Sequence, residues 1–292
     1  MTDAYADVNG VRLHYVTEGS GPLILFLHGF PEFWYAWRDQ LAEFGRDHTA
    51  VAVDMRGYNL SSKPDAVEAY RLPVLVEDIR ALADHLGAER FVLVGHDWGA
   101  GVAWMFAAMH PERLDRLVII NGTHPVIMMR ELTHNPAQQL ASAYILAFRI
   151  PGAEHALSAF NFKALREIVF GGLRDAGHMT EADVAEYVKA WSQPGALTGG
   201  LNYYRAANLS GRATSAGQSD RAATSTGSMR TPVPVLVIWG ERDKYLLTGN
   251  LDGLEEVASD VTIRRIPEGS HWVVHERPAE VNAMIREFIG TS

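Results

Sequence analysis

The sequence predicts an α/β protein: a mostly parallel β-sheet flanked by helices, with a helical segment inserted near the carboxyl ends of the strands. Three observations carry this expectation. Short apolar, β-branched runs stopped by turn residues recur along the chain, and helix-period stretches lie between them. That alternation lapses between about residues 124 and 230, where helical patterns follow one another without a clear strand. At 292 residues the chain can bury a core large enough for one domain carrying an insertion.

Taken in order, VRLHYVTEG (from Val11) reads as an early strand, and LILFLHG (23–29) as a buried one that ends in turn chemistry. AVAVDMRG (50–57) is a third short apolar run, stopped by polar residues and glycine. LVEDIRALADHLG (75–87) has apolar residues at three- and four-residue spacing and ends at Gly87, as an amphipathic helix does. FVLVGHD (91–97), LDRLVIING (114–122), VPVLVIWGE (233–241) and VTIRRIPEG (261–269) supply four more strands. RPAEVNAMIREFIG (277–290) opens with Pro278 and closes with Gly290, the expected helix asymmetry. These elements assign 1–123 and 231–292 to the core domain and 124–230 to an inserted helical lid. ASAYILAFRI and TEADVAEYVKAW are helical segments of that lid. Its exit, 210–230, is rich in Ser, Gly, Ala and Thr without apolar periodicity, and is expected to be a surface loop.

Composition narrows the function. The formal charge is −9, from 26 Lys+Arg against 35 Asp+Glu, and no basic run stands out. Nucleic acid and anionic membrane surfaces are therefore poor partners. There is no cysteine, which removes disulfides, thiolate catalysis and Cys-ligated metal together. No apolar run has the roughly 18–20 residues needed to span a bilayer, and the first twenty residues do not read as a signal peptide. A soluble, cytoplasmic protein is expected. No His and carboxylate cluster has metal spacing and no phosphate loop precedes a helix, so no cofactor is expected.

VLVGHDWGAG (93–102) has the strand–turn–helix pattern that mounts a nucleophile on a sharp elbow, with Gly95 and Gly99 flanking the central residue. That residue is Asp97, where such turns usually carry serine. Asp is also a common helix N-cap, and the turn alone leaves the two roles about equal. The rest of the chain favours chemistry. A base, an orienting acid and an oxyanion site are required. His271, in EGSHWVVHERP, is the candidate base, and Asp243, in VIWGERDKY, the candidate acid, preferred over Glu241 in the same loop. The chain order nucleophile, acid, histidine, each beyond a strand end, singles them out. The oxyanion donors would be the backbone N–H groups of Trp98 and of Phe30 in HGFP (28–31). Pro31 rigidifies that turn, and X–Pro bonds tolerate the cis form.

The motifs HGFPEFWYAW, DMRGYNLSSKP, GHDWGA, WGERD and GSHWVVHERP, in this order, resemble those of the α/β-hydrolase-fold epoxide hydrolases, and the similarity covers nearly the whole chain. It implies a covalent mechanism. An ionised carboxylate attacks without deprotonation, and attack on a saturated carbon gives an ordinary alkyl ester. A water activated by His271 then hydrolyses that ester. The resemblance also implies two lid tyrosines that assist epoxide opening. SAYILAFRIPG places Tyr144 and LNYYRAA places Tyr204 at the matching positions, with Tyr203 as the fallback for the second. A phenol donates a strong hydrogen bond while neutral at pH 7.

The dehalogenase readings fit less well. Haloalkane dehalogenases generally carry asparagine where this chain has Phe30. Fluoroacetate dehalogenases carry arginines just after the nucleophile, where this chain has Trp98 and Gly101. A non-catalytic binding member of the fold is the remote alternative. Phe30, Phe33, Trp34 and Trp98 are candidates for an apolar substrate pocket, with Trp37 a further aromatic nearby. The implied ligand is thus a small hydrophobic epoxide, in detoxification, carbon-source degradation or biosynthetic tailoring alike. Asp54 and Arg56 are expected to shape a turn near the site, and His28 and His96 to make structural hydrogen bonds.

Overall fold

Eight strands form one sheet in the order β1-β2-β4-β3-β5-β6-β7-β8. The computed structural model describes residues 1–207 and 229–290. β1 (Thr2–Val8) and β2 (Val11–Glu18) pair antiparallel as a hairpin, and β2 pairs antiparallel with β4 (Thr49–Val53). From β4 onward the sheet is parallel, through β3 (Leu23–Leu27), β5 (Phe91–His96), β6 (Leu114–Ile120), β7 (Val235–Gly240) and β8 (Val261–Ile266). The seven strands expected from the sequence are present. β1 is an addition: its residues alternate weakly and lie at a sheet edge, so they lack the apolar run that marks the buried strands. Asn9-Gly10, both at positive φ, is the hairpin signal that announced it.

β3, β5 and β7 are buried at every residue because helices cover both faces of the sheet. α1 (Arg38–Phe44) and α12 (Pro278–Ile289) pack with Phe26, Trp37, Val94 and Ile238 on one face. α2 (Leu72–His85) and α3 (Trp98–Met109) pack with Leu25, Leu93 and Leu117 on the other. A fully buried Leu, Ile, Val or Phe contributes about 1.5–3 kcal/mol, so each parallel strand end is firmly placed. Two short helices lie in the connections: α10 (Leu254–Val257) leads into the amino end of β8, where the Val257 carbonyl accepts from the Thr231 N–H, and α11 (Val273–Glu276) follows β8.

Between β6 and β7 the described residues hold α4 (Pro125–His134), α5 (Pro136–Ala141), α6 (Tyr144–Phe148), α7 (Ala153–Asp175), α8 (Glu181–Trp191) and α9 (Ala196–Ala206). α7 is broken at Ala159–Phe162, where Phe160, Asn161 and Phe162 take left-handed φ of 51°, 55° and 58°. α8 begins with a capping box, Thr180 and Asp183 bonding each other's backbone N–H. The exit loop expected at 210–230 lies, but for its last two residues, outside the described residues. Among the described residues no helix is long and apolar enough to cross a membrane.

One face of α8 is fastened to the core. Asp183, Tyr187 and Trp191, spaced four apart, meet the loop that follows β3: the Tyr35 hydroxyl donates to Asp183 (2.9 Å), the Tyr187 hydroxyl to Glu32 (3.1 Å) and Trp191 Nε1–H to the Pro31 carbonyl (2.5 Å). The turn after β4 is also built from buried polar contacts. Asp54 accepts from the Trp34 N–H and from Asn59, and pairs with His14. Arg56 grips Asp78 through Nε (2.7 Å) and a terminal nitrogen (2.6 Å), both side chains being buried. Burial pushes the Asp78 carboxyl up even so, against the opposing pull of Arg56. Arg56→Met would strip that carboxylate of its counter-charge, and is expected to lower unfolding free energy by roughly 3–5 kcal/mol in chemical denaturation.

Candidate active site

Asp97 stands at the sharp turn from β5 into α3, at φ 51° and ψ −118°, a strained conformation for a non-glycine residue. Two neighbouring glycines make it possible. A Cβ on Gly99 would strike the backbone of Leu27 and His28, and a Cβ on Gly29 would overlap the Asp97 side chain itself. The carboxylate consequently points at the loop after β3, where the Phe30 N–H donates to Oδ1 (2.8 Å). The Phe30–Pro31 peptide is cis. Trp98 is the first residue of α3, so its N–H has no partner within the helix.

The loop after β7 brings Asp243 to His271, which follows β8. Asp243 Oδ2 accepts from His271 Nδ1–H at 2.6 Å and from Asn121 Nδ2 at 2.8 Å, and Oδ1 accepts from the N–H groups of Tyr245 (2.8 Å) and Leu246 (2.9 Å). Burial alone would raise the Asp243 carboxyl, but the imidazolium and these donors hold it below the usual carboxylate range. For His271, burial works downward and is outweighed by the charge and hydrogen bond of Asp243, with smaller help from Asp97 and Glu32, so its pKa rises to about 9. Its Nε2 lies 3.7 Å from Asp97 Oδ2, beyond hydrogen-bond range. Glu241, the other carboxylate of that loop, pairs with Arg265 instead (2.8 Å).

Above Asp97 lies a cavity of about 190 Å³. Tyr144 of α6 and Tyr204 of α9 both line it, their rings 6.2 Å apart. Burial, then the charges of neighbouring groups including Asp97, push both phenols above their ordinary range, so both stay protonated. Tyr203 faces elsewhere, its hydroxyl donating to the Arg56 carbonyl (2.8 Å). Of the aromatics expected in the pocket, Phe30 lines the cavity, while Phe33, Trp34 and Trp98 do not. Phe33 packs edge-on against Tyr187 (5.0 Å) and Trp34 against Phe33 and Tyr35. Trp98 is wedged between the rings of Tyr203 and Tyr204 (5.7 and 5.1 Å), one layer behind the wall. The remaining wall comes from Phe148, Leu165, Ile168, Tyr245 and Trp272, none of which the sequence singled out.

The chain matches the family model for the alpha/beta hydrolase fold over residues 22–278. The chain belongs to this family. Over 98% of its length it is 37% identical to the "AB hydrolase superfamily protein YfhM" of Bacillus subtilis, covering 96% of that protein. It is 36% identical to "Epoxide hydrolase 4" of Mus musculus, across 96% of this chain and 77% of the mouse protein. Among solved structures, the Bacillus megaterium epoxide hydrolase in complex with an inhibitor superposes with a TM-score of 0.89 at 38% identity, covering 99% of this chain and all of that one. The resemblance to the epoxide hydrolases drawn from the motifs therefore holds across the full length.

This alpha/beta hydrolase also carries a second buried acid–histidine cluster, behind the first. Glu32 receives His275 Nε2 (2.5 Å), His96 Nδ1 (3.1 Å) and the Tyr187 hydroxyl, and His96 Nε2 reaches the carbonyl of His271 (2.8 Å). Burial would raise the Glu32 carboxyl, yet His275 and His96 hold it well below the usual range. His28 bonds the Gly29 carbonyl and accepts from the Met55 N–H. Only the structural roles of His28 and His96 were legible in the sequence. His275 and Tyr187 lie 243 and 155 residues from Glu32, with no local motif to join them.

Proposed function

We propose that this enzyme is an epoxide hydrolase, converting an epoxide and water to a vicinal diol through an alkyl ester on Asp97, with residues 124–230 as the lid. The observation that carries the reading is a carboxylate nucleophile, rather than a hydroxyl, facing two neutral phenols across an apolar cavity. An acyl substrate attacked by a carboxylate would give an anhydride, whereas a strained ring gives a stable ester.

In the first step Asp97 Oδ2 attacks a ring carbon, the carbon–oxygen bond breaks, and its electron pair moves to the ring oxygen. Tyr144 and Tyr204 donate hydrogen bonds to that oxygen, and one gives it a proton. The burial that raises the phenols would raise a free alkoxide as well, so the proton moves as the carbon–oxygen bond breaks. In the second step His271 Nε2 takes a proton from water, and the hydroxide adds to the carbonyl carbon of the ester. The N–H groups of Phe30 and Trp98 hold the oxyanion on Oδ1. Collapse expels the second oxygen of the diol, which takes the proton from His271; the proton left on the Asp97 carboxyl passes to the phenolate, and both Asp97 and the phenol are restored.

Esterification removes the Asp97 charge that helps raise His271, so the imidazole becomes easier to deprotonate just when it must act as base. The base is the neutral form. Hydrolysis of the ester is therefore expected to accelerate with rising pH and to level off below about 9, the value that His271 has while Asp97 is still charged. Stopped-flow measurement of ester decay across pH checks this, and a flat profile removes His271 as base. Tyr204→Phe is expected to slow alkylation by roughly 1–3 kcal/mol, the worth of one charge-assisted hydrogen bond. An unchanged alkylation rate would take Tyr204 out of the reaction. The reaction class itself is tested by offering aryl and alkyl terminal epoxides beside chloro- and bromoalkanes. Diol without halide is the expected result; halide without diol would keep Asp97 but overturn the roles given to the phenols.

A further inference from the structure

The cavity has one closed end and one open end. His271, Trp272 and Tyr245 close it on the side of the core, packed edge-on with His271 ring centroids 5.2 Å from Tyr245 and 4.9 Å from Trp272. Tyr245 is pinned there from two sides, its N–H on Asp243 and its carbonyl accepting from Gln138 of α5 (2.7 Å). Its ring also meets Tyr144 at 5.6 Å, which closes the corner beneath α6. In the other direction the wall is apolar: Phe30 and Pro31 from the core, Phe148 from α6 and Leu165 from α7. It ends at Ile168, one turn beyond Leu165 on the same helix face. Leu165 is 0% exposed and Ile168 43%, and Ile168 is the one exposed residue of the lining among the described residues.

We infer that the site selects terminal epoxides bearing a single apolar arm, which leaves the cavity along α7, and that Ile168 is the specificity-determining residue for arm length. This rests on the epoxide reading above. An engineered apolar cavity of about 150 Å³ in another protein takes up benzene. A volume of about 190 Å³ thus suits an oxirane plus one arm of roughly phenyl size. A second arm, on the other ring carbon, would be driven into Tyr245, Trp272 and His271. His271 is bonded to Asp243 and Trp272 is 7% exposed, and the Tyr245 ring is packed against Tyr144 and His271. Each methylene of a single arm loses water contact on passing Phe148 and Leu165. Beyond Ile168 further methylenes return to solvent and gain nothing.

The test is kcat/KM for 1,2-epoxyalkanes from three to twelve carbons, with styrene oxide and trans-stilbene oxide, on the wild type, Ile168→Ala and Ile168→Lys. Ile168 is exposed enough for both variants to fold, and circular dichroism checks that they do. For the wild type, kcat/KM is expected to climb by up to about fourfold per added methylene, the yield of burying one CH₂, and then to level off. trans-Stilbene oxide is expected to lie at least roughly 100-fold below styrene oxide, since its second ring has no place. Ile168→Lys sets a charge across the exit and is expected to cut the ratio of long-chain to short-chain kcat/KM about tenfold, with Ile168→Ala changing it far less. A chain-length profile that ignores Ile168, or comparable rates for the two aryl epoxides, overturns this inference and leaves the reaction standing. Absence of diol from every epoxide overturns both.

Discussion

His271→Gln protein mixed with a terminal epoxide is expected to gain the mass of one epoxide and keep it. Glutamine fills much of the imidazole's space and can still donate to Asp243, so the nucleophile and both phenols remain in place. What it lacks is a nitrogen able to take a proton from water. Alkylation then proceeds and hydrolysis stalls, with steady-state turnover falling by roughly 10²–10⁴ as for the loss of a general base. Intact-mass spectrometry reads the adduct, and peptide mapping locates it. An adduct on Asp97 fixes the order of the two steps. A variant that is inactive and also unmodified would mean that the two-step scheme does not operate here.

Asp97→Ala is expected to have the larger effect and the opposite signature. Without the carboxylate no ester forms, and the remaining groups can only position water against the ring. Turnover is expected to fall by at least roughly 10⁴-fold with no mass increase, because members of such a set act as a unit and losing the nucleophile disables the rest. Stability is expected to fall only modestly, because the backbone at φ 51° is unchanged and what is lost is the hydrogen bond from the Phe30 N–H, worth about 1 kcal/mol. Thermal melts of the two proteins provide the control: an inactive variant that melts far below the wild type would be reporting misfolding instead.

What could be read from the sequence was what a short stretch dictates by itself. The buried strands are runs of β-branched residues with no polar face, and the turns that end them carry their own chemistry, as Gly95-His96-Asp97 does. These turns lie at neighbouring strand ends of one parallel sheet, which is why Asp97, Asp243 and His271, far apart in the chain, converge. Sequence reasoning failed where direction mattered. Phe33 and Trp34 stand three and four residues from Phe30, yet their rings face α8 and Tyr35 rather than the cavity. Nothing in a run of aromatics tells which will turn inward. Phe148, Leu165 and Ile168 belong to helices whose apolar faces look the same whether they cover a core or a cavity. β1 was missed for want of hydrophobicity, although the Asn9-Gly10 turn was in plain view.

The stripe of Asp183, Tyr187 and Trp191 along α8 separates what this enzyme can vary from what it must keep. Those three contacts hold the loop that supplies the Phe30 donor, and the next helix, α9, presents Tyr204 from the same anchored body. Phe148, Leu165 and Ile168 come from α6 and α7, which make no hydrogen bond to that loop among the described residues, although the Phe148 ring meets Phe30 at 5.3 Å. Drift in the second group reshapes what the cavity admits while leaving the proposed Phe30 donor to a loop held by other residues. A lineage that keeps Tyr144 can thus acquire new substrates through α6 and α7 without passing through an inactive ancestor, and libraries on those two helices that spare Tyr144 search specificity at constant chemistry.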